Sequence, residues 1–409
     1  MSGDGLEARV TGDAENEALP PAMSHSALFL RFLRFGFLAF GGPVAQIAMI
    51  RRELVEEEGW ISAAGFNRLL AVMQVLPGPE AHELCVHLGI RAKGRLGGLL
   101  AGLGFMLPGF LLMLALAWIY SRLPIGGTLL GALFLGVQAA VLAVIVRALH
   151  RIGQHILLDD WLWSVALLSA AATFAGASFW IVLPAAGVLY SLVGSGRFVA
   201  ASAVLAGAVL LALLTSGASE GVVVARPVSG EAATTLALLV AGLKGGLLTF
   251  GGAYTAIPFV RNDTVGRGWM SDAQFLDGLA LTGLLPAPLV IFVTFVGWLC
   301  GGLAGALAIT AGMFLPAFAF SMLFYERLEA VADHKGLHAF LAGVAAGVVG
   351  LIAVTLVELA SAAVARSPNL LVSLGIFLSA LAVMVGWRSI LATPTVLALG
   401  AAVGAAALG

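Results

Sequence analysis

Two cations, Arg34 and Lys244, stand 210 positions apart inside long apolar runs, where an unpaired charge costs about 2.5–3.5 kcal/mol. Each is followed six residues later by a helix-breaking run, Phe40-Gly41-Gly42 before Pro43 and Phe250-Gly251-Gly252 before Thr255. Glycine weakens a helix and proline lacks the N–H that would continue one, so a helix should stop at each run and another begin. Open amides at a helix start, together with the helix dipole, favour an anion. The chemistry implied is non-covalent capture of an anion inside an apolar surrounding. Leu76-Pro77-Gly78-Pro79 and Leu285-Pro286-Ala287-Pro288 add a second matched pair of breaks. The candidate binding set is therefore Arg34, Gly41, Gly42, Pro43, Pro77, Gly78 and Pro79 with Lys244, Gly251, Gly252 and Thr255.

Glu80, Glu83 and His87 follow the first Pro-Gly-Pro break at spacings of three and four, hence on one helix face, with His82 on another face. The second half has Leu289, Phe292 and Val296 instead. Titratable groups on one side of a pseudo-symmetric molecule are candidates for carrying protons; ion pairing with Arg91 or Arg95 is the open alternative. Arg51 and Arg261, another matched pair, either guide anions into two mouths or are ordinary helix-end charges. Cys85 and Cys300 lack metal-ligand spacing and read as packing residues. The sequence has no Walker motif, catalytic triad or metal-ligand constellation. An enzyme, a metal and a cofactor are thus not expected.

These groups need a membrane to position them. The chain is 60% hydrophobic and only 11% charged, with 52 glycines and a mean hydropathy of +1.03, which indicates a polytopic, all-α membrane protein. A net charge of -1 excludes nucleic-acid binding on electrostatic grounds. Thirteen runs approach the roughly 20 residues that a helix needs to cross the hydrocarbon core. In the first half they lie near 27–49, 66–90, 97–120, 125–147, 161–178 and 179–195, and in the second near 235–258, 273–299, 302–324, 338–361, 369–386 and 388–408, with 198–215 between them.

The breaks recur at offsets of 208 to 210, as do Gly59-Trp60-Ile61-Ser62 with Gly268-Trp269-Met270-Ser271 and Leu107-Pro108 with Leu315-Pro316. Two six-helix repeats with broken helices thus occupy 25–197 and 234–409, joined by a linking helix and loop at 198–233, after an acidic tail at 1–24 that reads as disordered. Each span lies seven crossings from its counterpart, an odd number, so the repeats should be inverted. The Lys and Arg residues agree: fourteen fall on the N-terminal side and six on the other, with Lys244 inside a span. That places the N-terminus in the cytoplasm and the C-terminus outside.

Phe40-Gly41-Gly42-Pro43, Leu76-Pro77-Gly78-Pro79-Glu80, Gly94-Arg95-Leu96-Gly97-Gly98 and Leu107-Pro108-Gly109-Phe110, repeated in weaker form, resemble the chromate ion transporter family in its long two-domain type. The resemblance covers about residues 27–408. It implies a multi-pass carrier of the bacterial inner membrane that exports chromate and confers chromate resistance, with sulfate as the related anion. Proton-coupled import of sulfate or another oxyanion is the alternative within this class, and a membrane-embedded scramblase or enzyme the alternative outside it. The expected partners are the oxyanion and membrane lipid, and the sequence leaves a homodimer open. The second half departs from the pattern, with Ala253 in place of proline and Ala287 in place of glycine.

Overall fold

The computed structural model describes residues 20–73, 77–124, 128–216, 232–250, 252–323, 335–387 and 389–409. Gly251, residues 1–19 of the tail and 217–231 of the linker lie outside the described residues. The described residues contain helices and no strand. The first half holds α1 (His25–Leu38), α2 (Gly42–Arg51, continued by one π-helical turn at Arg52–Glu57), α3 (Ala63–Met73), α4 (Glu80–Tyr120), α5 (Leu129–Ile156), α6 (Asp160–Phe174) and α7 (Phe179–Gly194). After α8 (Phe198–Ser216) come α9 (Thr235–Leu247), α10 (Ala256–Thr264), α11 (Asp272–Gly283), α12 (Phe292–Leu323), α13 (Lys335–Arg366), α14 (Leu370–Gly386) and α15 (Ala392–Ala407). Short 3-10 turns at Ala253–Thr255 and Leu289–Ile291 precede α10 and α12. Polar side chains start many of the helices: Ser24, Thr128, Asp159, Ser178, Thr234, Ser271 and Asn369 each accept a first-turn amide, which satisfies donors the helix itself leaves open.

Among the described residues, four segments are long and apolar enough to cross a membrane, Glu80–Tyr120, Leu129–Ile156, Leu289–Leu323 and Gly336–Arg366. Two of them reverse within their length. In α4 the reversal falls at Lys93 (φ -146°, ψ 29°) and Gly94 (φ 62°, ψ -165°), and in α12 at Gly301 (φ -150°, ψ 22°) and Gly302 (φ 60°, ψ -150°). Each glycine occupies a backbone region essentially closed to other residues. The limbs then fold back antiparallel, with Gly89 against Gly97 and Ala101, and Gly297 against Gly305 and Ile309. Glycine and alanine at these contacts allow the close approach that packing in lipid requires.

The runs 27–49 and 66–90, each expected to cross as one broken span, also double back. Beyond the break at 39–41 the chain returns along α1, so that Glu53 pairs with Arg34, Glu58 with Arg31, and Trp60 stands edge-on to Phe32. From there α3 leads to the second break at 77–79, and the first limb of α4 returns. Neither α1 (14 residues) nor α2 (10 residues) is long enough to cross alone, because each residue adds about 1.5 Å. The second half is built the same way, with Lys244 of α9 paired to Asp263 of α10. Matched contacts hold both hairpins: Leu28 lies beside Gly97 and Gly36 beside Pro108, as Leu238 lies beside Gly305 and Gly246 beside Pro316.

The halves are interlocked. Helix α5 packs on α14 and α15, while α13 packs on α6 and α7, so each long helix is covered by the closing helix pair of the other half. The contacts are again between small residues, Gly136 against Gly400 and Gly404, and Gly343 against Ala186 and Gly187. Helices α4 and α12 meet between these groups, with Phe318 filling the space over Gly102.

Candidate functional site

All four helix breaks converge across the boundary between the halves. The Gly78 N–H of the first Pro-Gly-Pro break donates to the Thr249 carbonyl at the end of α9, at 2.8 Å. The pseudo-equivalent pair is Ala287 and Ala39, each 209 or 210 positions away. There the bond is mediated: Gln46 Nε2 donates to the Ala39 carbonyl at 2.9 Å and to the Ala287 carbonyl at 3.1 Å. Each proline break of one half is thus tied to the Phe-Gly-Gly break of the other. Gln46 is buried and its Oε1 has no protein partner.

The departure at Ala287 has a steric explanation. Ala287 faces Gly109, where a side chain would collide with the Ala287 methyl. Gly78 faces Ala317, the counterpart of Gly109, whose methyl would lie 3.2 Å from a Cβ at position 78. One glycine and one alanine occupy each contact, and the second half exchanges them.

The first half-helix starts where the sequence indicates. Gly41 (φ 87°) caps α2, Gly42 (φ 79°) begins it, and Pro43 sits in its first turn, where a missing N–H costs nothing. In the second half the start is a 3-10 turn after Gly252 (φ 130°), and the buried Thr255 hydroxyl donates to the Gly252 carbonyl at 2.6 Å. Pro79 caps α4, with Pro77 partly buried and Gly78 fully so. A small apolar cavity beside the second break is lined by Tyr254, Ile257, Leu289 and Thr393 among others.

The two cations expected to face the anion unpaired are instead each held by a carboxylate. Arg34 Nη1 lies 2.8 Å from Glu53, and Lys244 Nζ lies 3.1 Å from Asp263. Both acids are buried, and they too stand 210 positions apart. The repeat therefore preserves an ion pair rather than a lone charge, a signal legible in the sequence once Glu53 and Asp263 are aligned. Arg34 is more exposed, at 59% of its side chain against 23% for Lys244. Arg261 is clamped by Asp272, at 2.7 Å, and Glu358, whereas its counterpart Arg51 pairs on the surface with Glu56 at 3.3 Å. Nothing in the pattern of Arg51 and Arg261 distinguishes these roles. Gln46 also escapes sequence reasoning, since its counterpart is Ala256.

Of the titratable set, Glu83 is fully buried, and neither carboxyl oxygen has a hydrogen-bond partner in the protein. Its Oε1 occupies the space that a side chain at Gly78 would need. Glu80 and His87 are less deeply placed. His82 is buried with its ring edge-on to Phe314 and Phe318, at centroid distances of 4.9 and 4.7 Å.

Comparison with known proteins matches this architecture to one group. The chromate transporter profile fits the chain over two stretches, residues 26–192 and 236–405. A chromate transport protein of Pseudomonas aeruginosa is 62% identical over 379 residues, covering 92% of this chain and 91% of its own. One from Cupriavidus metallidurans is 32% identical, covering 87% of each chain, and a probable chromate transport protein of Synechococcus elongatus is 31% identical, covering 87% and 89%. No solved structure matches. With the profile repeated over both halves, the chain belongs to the chromate transporter family, in its long two-domain form.

Proposed function

We propose that the protein is a secondary carrier that exports chromate across the bacterial inner membrane by alternating access. The observation that carries this reading is the reciprocal tie between breaks, Gly78 to Thr249 and, through Gln46, Ala39 to Ala287. It brings the half-helix starts at Gly42 and Ala253 to one boundary, where two units can rock about a shared site. The dianion binds to the amides at these starts, with Arg34 and Lys244 as counter-charges that exchange Glu53 and Asp263 for it.

Topology supports inversion. Once the re-entrant hairpins are set aside, each half has four crossings, the second limb of its kinked helix and the three helices after it, with α8 between the halves. Corresponding elements then stand five crossings apart, still an odd number. Tyr120, which the path places on the face opposite the N-terminus, accordingly bonds Asp277 of α11 at 2.7 Å. On that face lie Arg122, Lys244, Arg261, Arg267 and Arg366, and the other described Lys and Arg lie toward the opposite face. The excess supports a cytoplasmic N-terminus and an external C-terminus.

Export follows from electrostatics. An inside-negative potential helps a dianion leave by about 4.6 kcal/mol per 100 mV and opposes its uptake equally. Proteoliposomes with an imposed potential test this: radiolabelled chromate should leave faster when the exit side is positive and saturate with concentration. Flux that is absent, or that rises without saturation as through a channel, would remove the carrier.

A further inference from the structure

We propose that Glu83 is the group through which this carrier loads one proton with each oxyanion, its protonated carboxyl donating a hydrogen bond to the anion. The inference rests on the carrier reading above. Glu83 has 0% exposure, neither oxygen finds a donor, and the carboxyl is lodged against Gly78, whose N–H is already given to Thr249. A buried carboxylate without donors is costly, whereas a neutral acid carries an O–H able to serve a ligand oxygen.

No protein side chain donates to the group. Its own helix carries Glu80 one turn before it and His87 one turn after, with Arg91 a further turn on. Helix α12 presents Ala317 and has no Asp, Glu, Lys, Arg or His from 292 to 323. On α9 the cation is Lys244, held by Asp263; on α1 Arg34 is held by Glu53; on α3 Arg68 is exposed; and α2 contributes the neutral Gln46. His82, next in the chain, turns its ring to Phe314 and Phe318. An ionised Glu83 would repel a dianion arriving at the same break, while the neutral acid can donate to it. Anion binding therefore draws a proton from water onto the Glu83 carboxylate of the opened, hydrated site, with no other bond made or broken. The second half, with Phe292 at the equivalent position, has no such group, so a single proton is carried.

The test measures proton uptake on adding chromate to the purified full-length protein in weakly buffered detergent solution, with Glu83→Gln as the control for the anion's own protonation. At pH values where Glu83 is ionised in the free protein, wild type should take up about one proton per chromate bound beyond that control, and over that range its affinity should fall about tenfold per pH unit. Glu83→Gln should bind with no such excess uptake. Wild type that binds chromate without proton uptake at every pH up to the alkaline limit of binding, a count that needs no variant, would overturn the role of Glu83 and leave the carrier intact, as would equal uptake by both proteins. No chromate binding or transport by wild type at any pH would overturn the carrier and this inference together.

Discussion

At the scale of single residues, the informative comparison is between side chains that the repeat keeps and those it changes. The kept ion pairs differ in environment. Removing Lys244 leaves buried Asp263 with Arg267 at 3.9 Å, so Lys244→Ala should cost about 3 kcal/mol, seen as a lower melting temperature in detergent. Arg34 is largely exposed, and Arg34→Ala should cost about 1 kcal/mol or less. Both should stop chromate flux. In Lys244→Ala combined with Asp263→Asn, stability should recover while transport does not; wild-type flux in that double variant would limit Lys244 to a structural role. The changed residues give a second expectation. Gly109→Ala collides with Ala287 and should destabilise by about 1–3 kcal/mol, and adding Ala287→Gly should restore most of the loss. Additive effects in thermal melts would show that the two positions do not share the space.

At the scale of elements, helix breakers here act as hinges of hairpins rather than as kinks in continuous spans. The turns at Gly94 and Gly302 meet no other atoms where a side chain would go, so replacing either by alanine isolates the backbone cost. Gly94→Ala and Gly302→Ala should each lower stability by about 1–3 kcal/mol. Little effect in a melting experiment would mean that the turns relax without glycine. The tight reversals also explain why 41 residues of α4, far more than one crossing needs, fit as two packed limbs.

At the scale of the whole molecule, the exchange of helix pairs makes the halves interdependent. Expressed alone, either half would expose the faces of α5 or α13 that the other half covers. The two halves co-expressed as separate chains, cut within 217–231, should assemble and transport, while each alone should be degraded; a stable, monomeric single half would contradict the interlocking. Inversion has its own test. Membrane-impermeant labelling of single cysteines placed at Pro21 and Gly409 should reach only Gly409 from outside, and equal labelling would place both ends on one face.

How much the sequence revealed depended on the range of the interaction concerned. Helix breaks at Gly41, Gly78 and Gly252, the pairing of the halves and the apolar class were legible, because they follow from backbone chemistry and composition acting within a few residues. The carboxylate partners Glu53 and Asp263 were equally accessible, since the same 210-residue offset relates them, but a charge gives no sign of its partner until the chain folds back. The runs at 27–49 and 66–90 read as single, broken crossings rather than hairpins because hydropathy registers burial, not direction. Gln46 bridging Ala39 and Ala287, Glu83 lodged against Gly78, and the exchange of helices between halves arise only from contacts across the fold. Local propensity fixes where a helix must stop; which buried groups then meet is decided by packing between distant parts of the chain, as where Gln46 meets Ala287, 241 positions away.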